Sequence, residues 1–380
     1  MKSASLNIGL LTYGLDRPLT GIGRYTVELL RAMEDLGADL RCVLFTTGQP
    51  KYLPAEVHFD RCSISAIGRL PNVLLLSLLN AWRVADKLGL QILHDPTGIA
   101  PFSLRKRQIR SVVTVHDTYP FLFPTSSTVL ENLIARIWLP IALSHIDIII
   151  TGSINSKRDI IRYLRQPEEK IRVVPCGVSS RFSQLAKQNM EDVLERYVLK
   201  PGFILTVSSF NPRRNIKRLL EAYRQLATKD SFPPLIIIGK ARRGEIAEVK
   251  LNSASDRVRW LGYVPDEDLP ALYNGAGMFI FPSLYEGFGL PPLEAFACGA
   301  PVACSQVPSL KELVGNAAIL FDPFETTAIA ASISRLLEDA DLRKQLVDRG
   351  LRRAGEFTWL RTAEMTVDAY RAVLENANVA

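Results

Sequence analysis

Short, almost wholly apolar runs separated by longer amphipathic stretches constrain this chain more than any other feature. Leu6 to Thr12, Arg41 to Phe45, Gln91 to His94, Ser111 to Val115 and Ile146 to Ile150 are too short to stand as helices, and their apolar residues are contiguous rather than alternating. A strand has that composition when both of its faces are buried, as in a parallel sheet covered by helices. His58 to Ile64 and Ile171 to Val174 read as further strands of this half. Between them lie helical patterns at about Arg24 to Leu36, ended near Gly37, at about Pro71 to Leu88 and at Glu131 to His145. Ser153 is placed to N-cap a fourth helix, which carries Lys157 and Arg158.

The pattern then starts again. Strands are expected at Phe203 to Val207, Leu235 to Gly239, Val258 to Leu261, Met278 to Phe281 and Ala318 to Phe321, with helices at Ile216 to Ala227, Gly244 to Asn252 and about Glu267 to Asn274. Cys304, Val307 and Leu310 read as a turn and short helix, and the chain from Glu325 onward reads as helical, divided near Ala340 and Thr358. A length of 380 residues accommodates two cores. Pro175 to about Met190, rich in Pro, Gly, Ser and Gln, suits a connector. The predicted fold is α/β: two doubly wound Rossmann-like domains facing across a cleft, over residues 1–180 and 181–357.

The chemistry is expected in FPSLYEGFGLPPLEAFACG, from Phe281 to Gly299. It runs from a buried strand through a turn holding Glu286 into a helix, Pro291 to Ala297, that holds Glu294 and is ended by Gly299. Gly287 and Gly289 let a ligand approach the amides of Phe288, Gly289 and Leu290. Those amides lie at a helix N-terminus, where unpaired N–H groups and the positive end of the dipole favour a phosphate. A phosphate with an acid on either side suits a sugar nucleotide, one carboxylate accepting from sugar hydroxyls and the other from ribose. A glycosidase pair is the alternative use of two glutamates. It explains fewer residues than a phosphate-bearing donor does.

Other charged residues sort by context. Arg213 and Arg214 lie between a strand and a helix, where two cations can stabilise the charge on a leaving diphosphate. Asp266-Glu267-Asp268 has the spacing of a D-x-D metal motif, but Asp266 precedes an apolar-periodic helix and reads as its N-cap, as does Asp339 in Asp339-Ala340-Asp341. His116 follows directly on a strand, and Gly21 and Gly23 lie in the loop after the first strand, where a tight turn is the simplest use of them. Five scattered cysteines without C-x-x-C, and four histidines without ligand spacing, predict neither a disulfide framework nor a metal site.

The net charge of +7 suits a polyanionic ligand or surface. The basic clusters are Arg105-Lys106-Arg107 with Arg110, Lys157-Arg158 with Arg162 and Arg165, and Lys240 to Arg243, each read first as solvated surface. No nucleic-acid motif accompanies them. Leu70 to Trp82 is too short to span a bilayer, and Leu133 to Ile150 is interrupted by Arg136, His145 and Asp147, so both are read as buried. The start, MKSASLNIGLLTYG, shows no cleavage pattern.

Glu286-(seven residues)-Glu294 within EGFGLPPLEA resembles the signature of retaining glycosyltransferase family 4, which has the glycosyltransferase-B fold. TGIGRYT (Thr20 to Thr26), VTVHDTYP (Val113 to Pro120), VVPCGV (Val173 to Val178), NPRRNIKRLLEAY (Asn211 to Tyr223) and LGYVPDEDLPALY (Leu261 to Tyr273) are similar to that family in order along the chain. The resemblance implies metal-independent, retaining transfer of a hexose from a nucleotide-diphosphate sugar to a glycan or lipid-linked acceptor. It implies Glu294 at ribose, Glu286 at the donor sugar, and Arg213, Arg214 and the amides of Phe288, Gly289 and Leu290 at the diphosphate. His116 is implied as a contact to the transferred sugar, and the loop of Gly21 and Gly23 as part of the pocket. Arg214 stands where the family usually has lysine.

The last helix, in residues 358–380, is implied to rejoin the first domain, which would take the acceptor while the second takes the donor. The mannosyltransferase-like branch, with GDP-mannose or another GDP- or UDP-sugar as donor, is the nearest likeness. It implies polysaccharide or glycoconjugate synthesis by a cytoplasmic protein, with peripheral contact at the inner face of the plasma membrane as the second reading. A non-catalytic sugar-nucleotide-binding subunit and a sugar-nucleotide epimerase are the alternatives on the same fold.

Overall fold

The computed structural model describes residues 6–13, 15–16, 19–37, 40–46, 50–63, 81–98, 109–124, 129–208, 211–228, 231–239 and 257–375. The expected helix Gly244 to Asn252, the first part of the one at Pro71 to Leu88, and the basic clusters at 105–107 and 240–243 lie outside the described residues. The chain divides into two compact units, Met1–Gly177 with Trp359–Ala380, and Val178–Thr358. Val178 to Ser180 belong with the second unit because the Val178 N–H donates to Phe357 O at 2.9 Å and Val178 bridges Thr358.

In the first unit seven strands form one parallel sheet in the order β3-β2-β1-β4-β5-β6-β7. They are β1 Leu6–Leu11, β2 Leu40–Thr46, β3 Asp60–Ser63, β4 Ile92–Asp95, β5 Arg110–Thr114, β6 Ile148–Thr151 and β7 Ile171–Val173. The strands β4 and β6 are buried at every position, which accounts for the apolar run of β6, while β4 also buries His94 and Asp95. Ser153 caps the helix Ile154–Leu164 by accepting from the Ser156 N–H. The helix Trp359–Glu375 packs on Gly21–Asp35, and its Tyr370 hydroxyl is 2.7 Å from His94 Nδ1 in β4.

The second unit repeats the order with six parallel strands, β10-β9-β8-β11-β12-β13. These are β8 Phe203–Val207, β9 Leu235–Ile238, β10 Val258–Gly262, β11 Ala276–Phe281, β12 Val302–Ser305 and β13 Ala318–Phe321. In both units the order reverses beside the first strand, between β1 and β4 and between β8 and β11. In open α/β sheets, that switch point is where loops diverge and leave a crevice.

Three expectations are corrected. Cys304 lies in a strand, β12, rather than in a turn; it pairs with Phe281 and Leu320, a central position that four residues after Pro301 do not announce. The helix expected from Arg24 starts at Gly21, because Thr20 is its N-cap, so Gly21 and Gly23 lie in its first turn rather than in a loop. The helix expected at Glu131 to His145 is α at Val129–Leu133, π at Ile134–Trp138 and α again at Leu139–Ser144. Pro140 has no N–H to give Arg136 and its ring crowds that carbonyl, which the wider π-turn relieves.

Candidate active site

In the second unit the loops after β8 and β11 meet at the switch point. Asn211 closes a turn by accepting from the Arg213 N–H at 3.0 Å, and the 3-10 turn Pro212–Arg214 follows. Asn215 then takes a left-handed conformation, φ 58°, that Asn tolerates better than most residues. Its buried amide donates to Pro282 O at 3.1 Å and Pro323 O at 2.7 Å, pinning the β8 loop to those that follow β11 and β13. The Leu284 N–H donates to Arg213 O at 2.7 Å and completes the seam.

Glu286 is buried at the end of that seam. Its Oε1 accepts from the Ser283 hydroxyl at 2.6 Å and from Arg214 Nη1 in a short ion pair. The Arg214 guanidinium lies 5.4 Å from the Phe281 ring centroid. Ser309 donates to the Glu286 carbonyl at 2.7 Å, so side chain and backbone of this residue are held from different elements. Arg214 and Glu286, expected at separate parts of the ligand, are thus one charge-paired unit.

The turn beyond Glu286 leads to the helix Leu290–Ala297, with Gly289 as its N-cap at φ 115°. A Cβ at Gly289 would lie 2.6 Å from Leu310 Cδ2, so both the conformation and the space require glycine. Pro291 and Pro292 have no N–H, which leaves the amides of Phe288, Gly289 and Leu290 as the donors of this helix start; none of them hydrogen-bonds to the described residues. The Phe288 ring packs edge-on against Phe357 at 5.9 Å. Glu294, also buried, accepts from the Tyr273 hydroxyl at 2.9 Å.

The first unit holds the remaining expected residues. His116 follows β5, and its Nε2 lies 2.8 Å from Pro96 O, beyond the end of β4. A carbonyl only accepts, so the neutral ring carries its proton on Nε2 and offers Nδ1 as an acceptor. Burial lowers the His116 pKa, with the Pro96 carbonyl, Asp117 and Asp95 acting the other way. Tyr25, from the helix that Gly21 begins, meets the imidazole edge-on at 4.8 Å and Trp359 at 5.5 Å. The Gly23 N–H donates to Thr20 Oγ1 at 3.4 Å, and a Cβ added at Gly21 would meet nothing within 4 Å.

These geometries belong to a recognisable family. Models of glycosyltransferase family 4 and of glycosyl transferases group 1 match residues 19–182 and 191–353. Over 384 residues the chain is 34% identical to the O-antigen chain mannosyltransferase B of Escherichia coli, covering 96% of this chain and 100% of that protein. The chain belongs to the family 4 glycosyltransferases. Its fold is similar to sucrose-phosphate synthase of Thermosynechococcus elongatus, with TM-score 0.78, 21% identity and coverage of 98% and 100% of the two chains. It is also similar to Anabaena HepE in complex with UDP and glucose, with TM-score 0.77, 19% identity and coverage of 97% and 100%.

Sequence reasoning missed four residues that hold the candidate site together: Asn215, Ser283, Ser309 and Tyr273. Only Asn215 carried a local signal, as an Asn directly before an amphipathic helix. The D-x-D spacing is structural, with a shifted cap. Asp268, not Asp266, is the N-cap position of the helix Leu269–Gly275, and its carboxylate takes Arg196 and the Tyr197 hydroxyl, each at 2.6 Å. Asp266 lies 3.7 Å from Arg181. Among the described residues no group of three or more His, Cys, Asp and Glu is arranged to hold a metal.

Proposed function

We propose that this glycosyltransferase moves mannose from GDP-mannose to a glycan or lipid-linked acceptor in cell-surface polysaccharide synthesis, with retention at the anomeric carbon and without a metal. The donor class follows from the helix start at Gly289. The start of that helix offers three amides and a positive dipole end near a buried carboxylate whose Oε1 is held by Ser283 and Arg214. This supports a diphosphate bound there, with a sugar hydroxyl at the other carboxylate oxygen. The sugar and the process are suggested by the E. coli relative, an O-antigen chain mannosyltransferase.

In the reaction the C1–O bond to the nucleoside diphosphate breaks and a bond from the acceptor oxygen to C1 forms on the same face. The acceptor proton leaves with the diphosphate. The amides of Phe288, Gly289 and Leu290, with Arg213 and Arg214, stabilise the charge that grows on the leaving group. Glu286 orients the sugar through its hydroxyls, and Glu294, held by Tyr273, binds the ribose. His116 offers Nδ1 to a sugar hydroxyl and has no proton to give at that atom. In this reading the second unit takes the donor and the first the acceptor.

The test is a panel of GDP- and UDP-sugars with the purified protein, following thermal stabilisation and then nucleotide release with EDTA present. GDP-mannose should stabilise the protein, and release should need acceptor and resist EDTA. Release without acceptor would point to hydrolysis, conversion of the donor alone to an epimerase, and binding without turnover to a silent subunit.

A further inference from the structure

The amides of Phe288, Gly289 and Leu290 hydrogen-bond to none of the described residues, so no ladder of their own fixes where they point. A frame around the turn does. The helix Pro308–Val314 braces it at both ends: the Ser309 hydroxyl donates to Glu286 O at 2.7 Å, and a Cβ at Gly289 would come within 2.6 and 3.1 Å of Leu310 and Leu313. That helix has seven residues, too few to be stable by itself. Its end is closed from elsewhere in the chain. Lys311 O accepts from the Gly315 N–H at 3.2 Å and Val314 O from the Ala317 N–H at 2.9 Å, and the two carbonyls between them go to one side chain. Arg353 Nε donates to Leu313 O at 2.7 Å and Nη2 to Glu312 O at 2.9 Å. The helix dipole favours a cation at that end as well.

Arg353 also reaches the other side of the turn. Its guanidinium lies 4.7 Å from the Phe357 ring centroid, within cation–π range, and Nη1 pairs with Glu356. Phe357 in turn packs edge-on against Phe288. Arg353 belongs to the helix Ala340–Gly355, in which a Cβ at Gly350 would lie 2.7 Å from Phe296 Cδ1 of the helix Leu290–Ala297. Residues 350, 353 and 357 are spaced three and four apart, so one face of that helix and its C-terminal extension carries all three contacts. The Ser309 support and the Phe288 support of the turn therefore meet at one partly buried guanidinium.

We propose that Arg353 is a positioning residue for glycosyl transfer. It fixes the end of the helix Pro308–Val314 and the Phe357 ring together, and through them sets the direction of the Phe288, Gly289 and Leu290 amides toward a diphosphate. The shape of the contact requires arginine. A lysine ammonium keeps the charge but has no planar fork to take two carbonyls while stacking on a ring. The proposal rests on the donor reading for its ligand, but the state of the turn is observable without one.

Arg353→Met keeps the stem and removes the fork, Arg353→Lys keeps the charge, and Arg352→Ala, at the exposed neighbour, is the control. Two readouts are made on the full-length protein well below its melting temperature. Backbone amide NMR without ligand follows Phe288, Gly289 and Leu290, whose resonances should shift or broaden in Arg353→Met and stay in place in Arg352→Ala. Titrations with GDP, GMP, UDP and UMP then give the affinity gained from the second phosphate. Arg353→Met should reduce that gain about tenfold, the size of one hydrogen bond to a charged group, and change monophosphate binding by less than about twofold. Arg353→Lys should recover part of the gain. Unchanged amide resonances would overturn the proposal, as would a loss shared equally by diphosphates and monophosphates, which is the mark of general destabilisation. A wild-type protein that binds neither diphosphate would sink the donor reading instead, and the resonances would then decide the role of Arg353.

Discussion

Arg214 and Glu286 are paired at the end of the seam between the β8 and β11 loops, with side-chain exposures of 18% and 8%. Neither charge can be removed without leaving the other in a poorly solvated position. Arg214→Ala should therefore destabilise the protein by about 3 kcal/mol and lower turnover ~10²–10³-fold. The Arg214→Ala/Glu286→Ala double variant should lose much less than the sum of the two single losses. Denaturant unfolding together with initial rates of nucleotide release measures both; additive losses would mean that the pair does not act as a unit.

Gly289 stands where any side chain meets Leu310, in a conformation that disfavours L-residues. Gly289→Ala should cost ~1–3 kcal/mol of stability and should weaken donor binding by moving the helix start. Gly21→Ala, in open space within a helical turn, is the control and should be neutral or slightly stabilising. Urea midpoints and titration with GDP-mannose separate the two variants.

Tyr273→Phe removes one hydroxyl from Glu294 and little else from the core. It should cost about 1 kcal/mol of stability. If Glu294 binds ribose equally in ground and transition states, the donor KM rises while kcat holds. A fall in kcat at unchanged KM would place Glu294 nearer the chemistry than the ribose.

Acid should destabilise the first unit through its buried His94 and half-buried His116. Burial, and secondarily His116, push the His94 pKa down to about 3, and burial lowers His116 as well. The unfolded chain binds protons below about pH 6.5 that the folded chain refuses. Stability is thus full above that value and lost as pH falls toward the folded pKa, at about 1.4 kcal/mol per pH unit for each histidine. Unfolding curves between pH 8 and pH 5 check the sign and the onset.

Sequence and structure agree where one local rule decides. Contiguous apolar runs marked β6, β8, β9 and β11, because burial on both faces leaves no polar face to confuse the period. Ser153 and Asp339 were legible as caps, since a cap is a contact within a few residues, and Asp339 accepts from the Leu342 N–H at 2.8 Å. What failed was non-local. The strand β12 is defined by its neighbours rather than by its own four residues. Asp266 lost the cap position to Asp268, which Arg196 and Tyr197 hold from another helix. At the site, the E-x7-E spacing located the turn, but it did not announce that Arg214, far back in the chain, would neutralise Glu286.

Tyr370, in the last helix, shares His94 with Thr114, whose hydroxyl lies 2.9 Å from His94 Nε2. That contact orders events during synthesis. Val178–Thr358 is one unbroken stretch, whereas the first unit lacks the Tyr370 partner of His94 in β4 until residues 359–375 have been made. Of the two units, the one whose translation starts first is therefore completed second, its seven-stranded sheet joined by a helix made after the whole of the other unit.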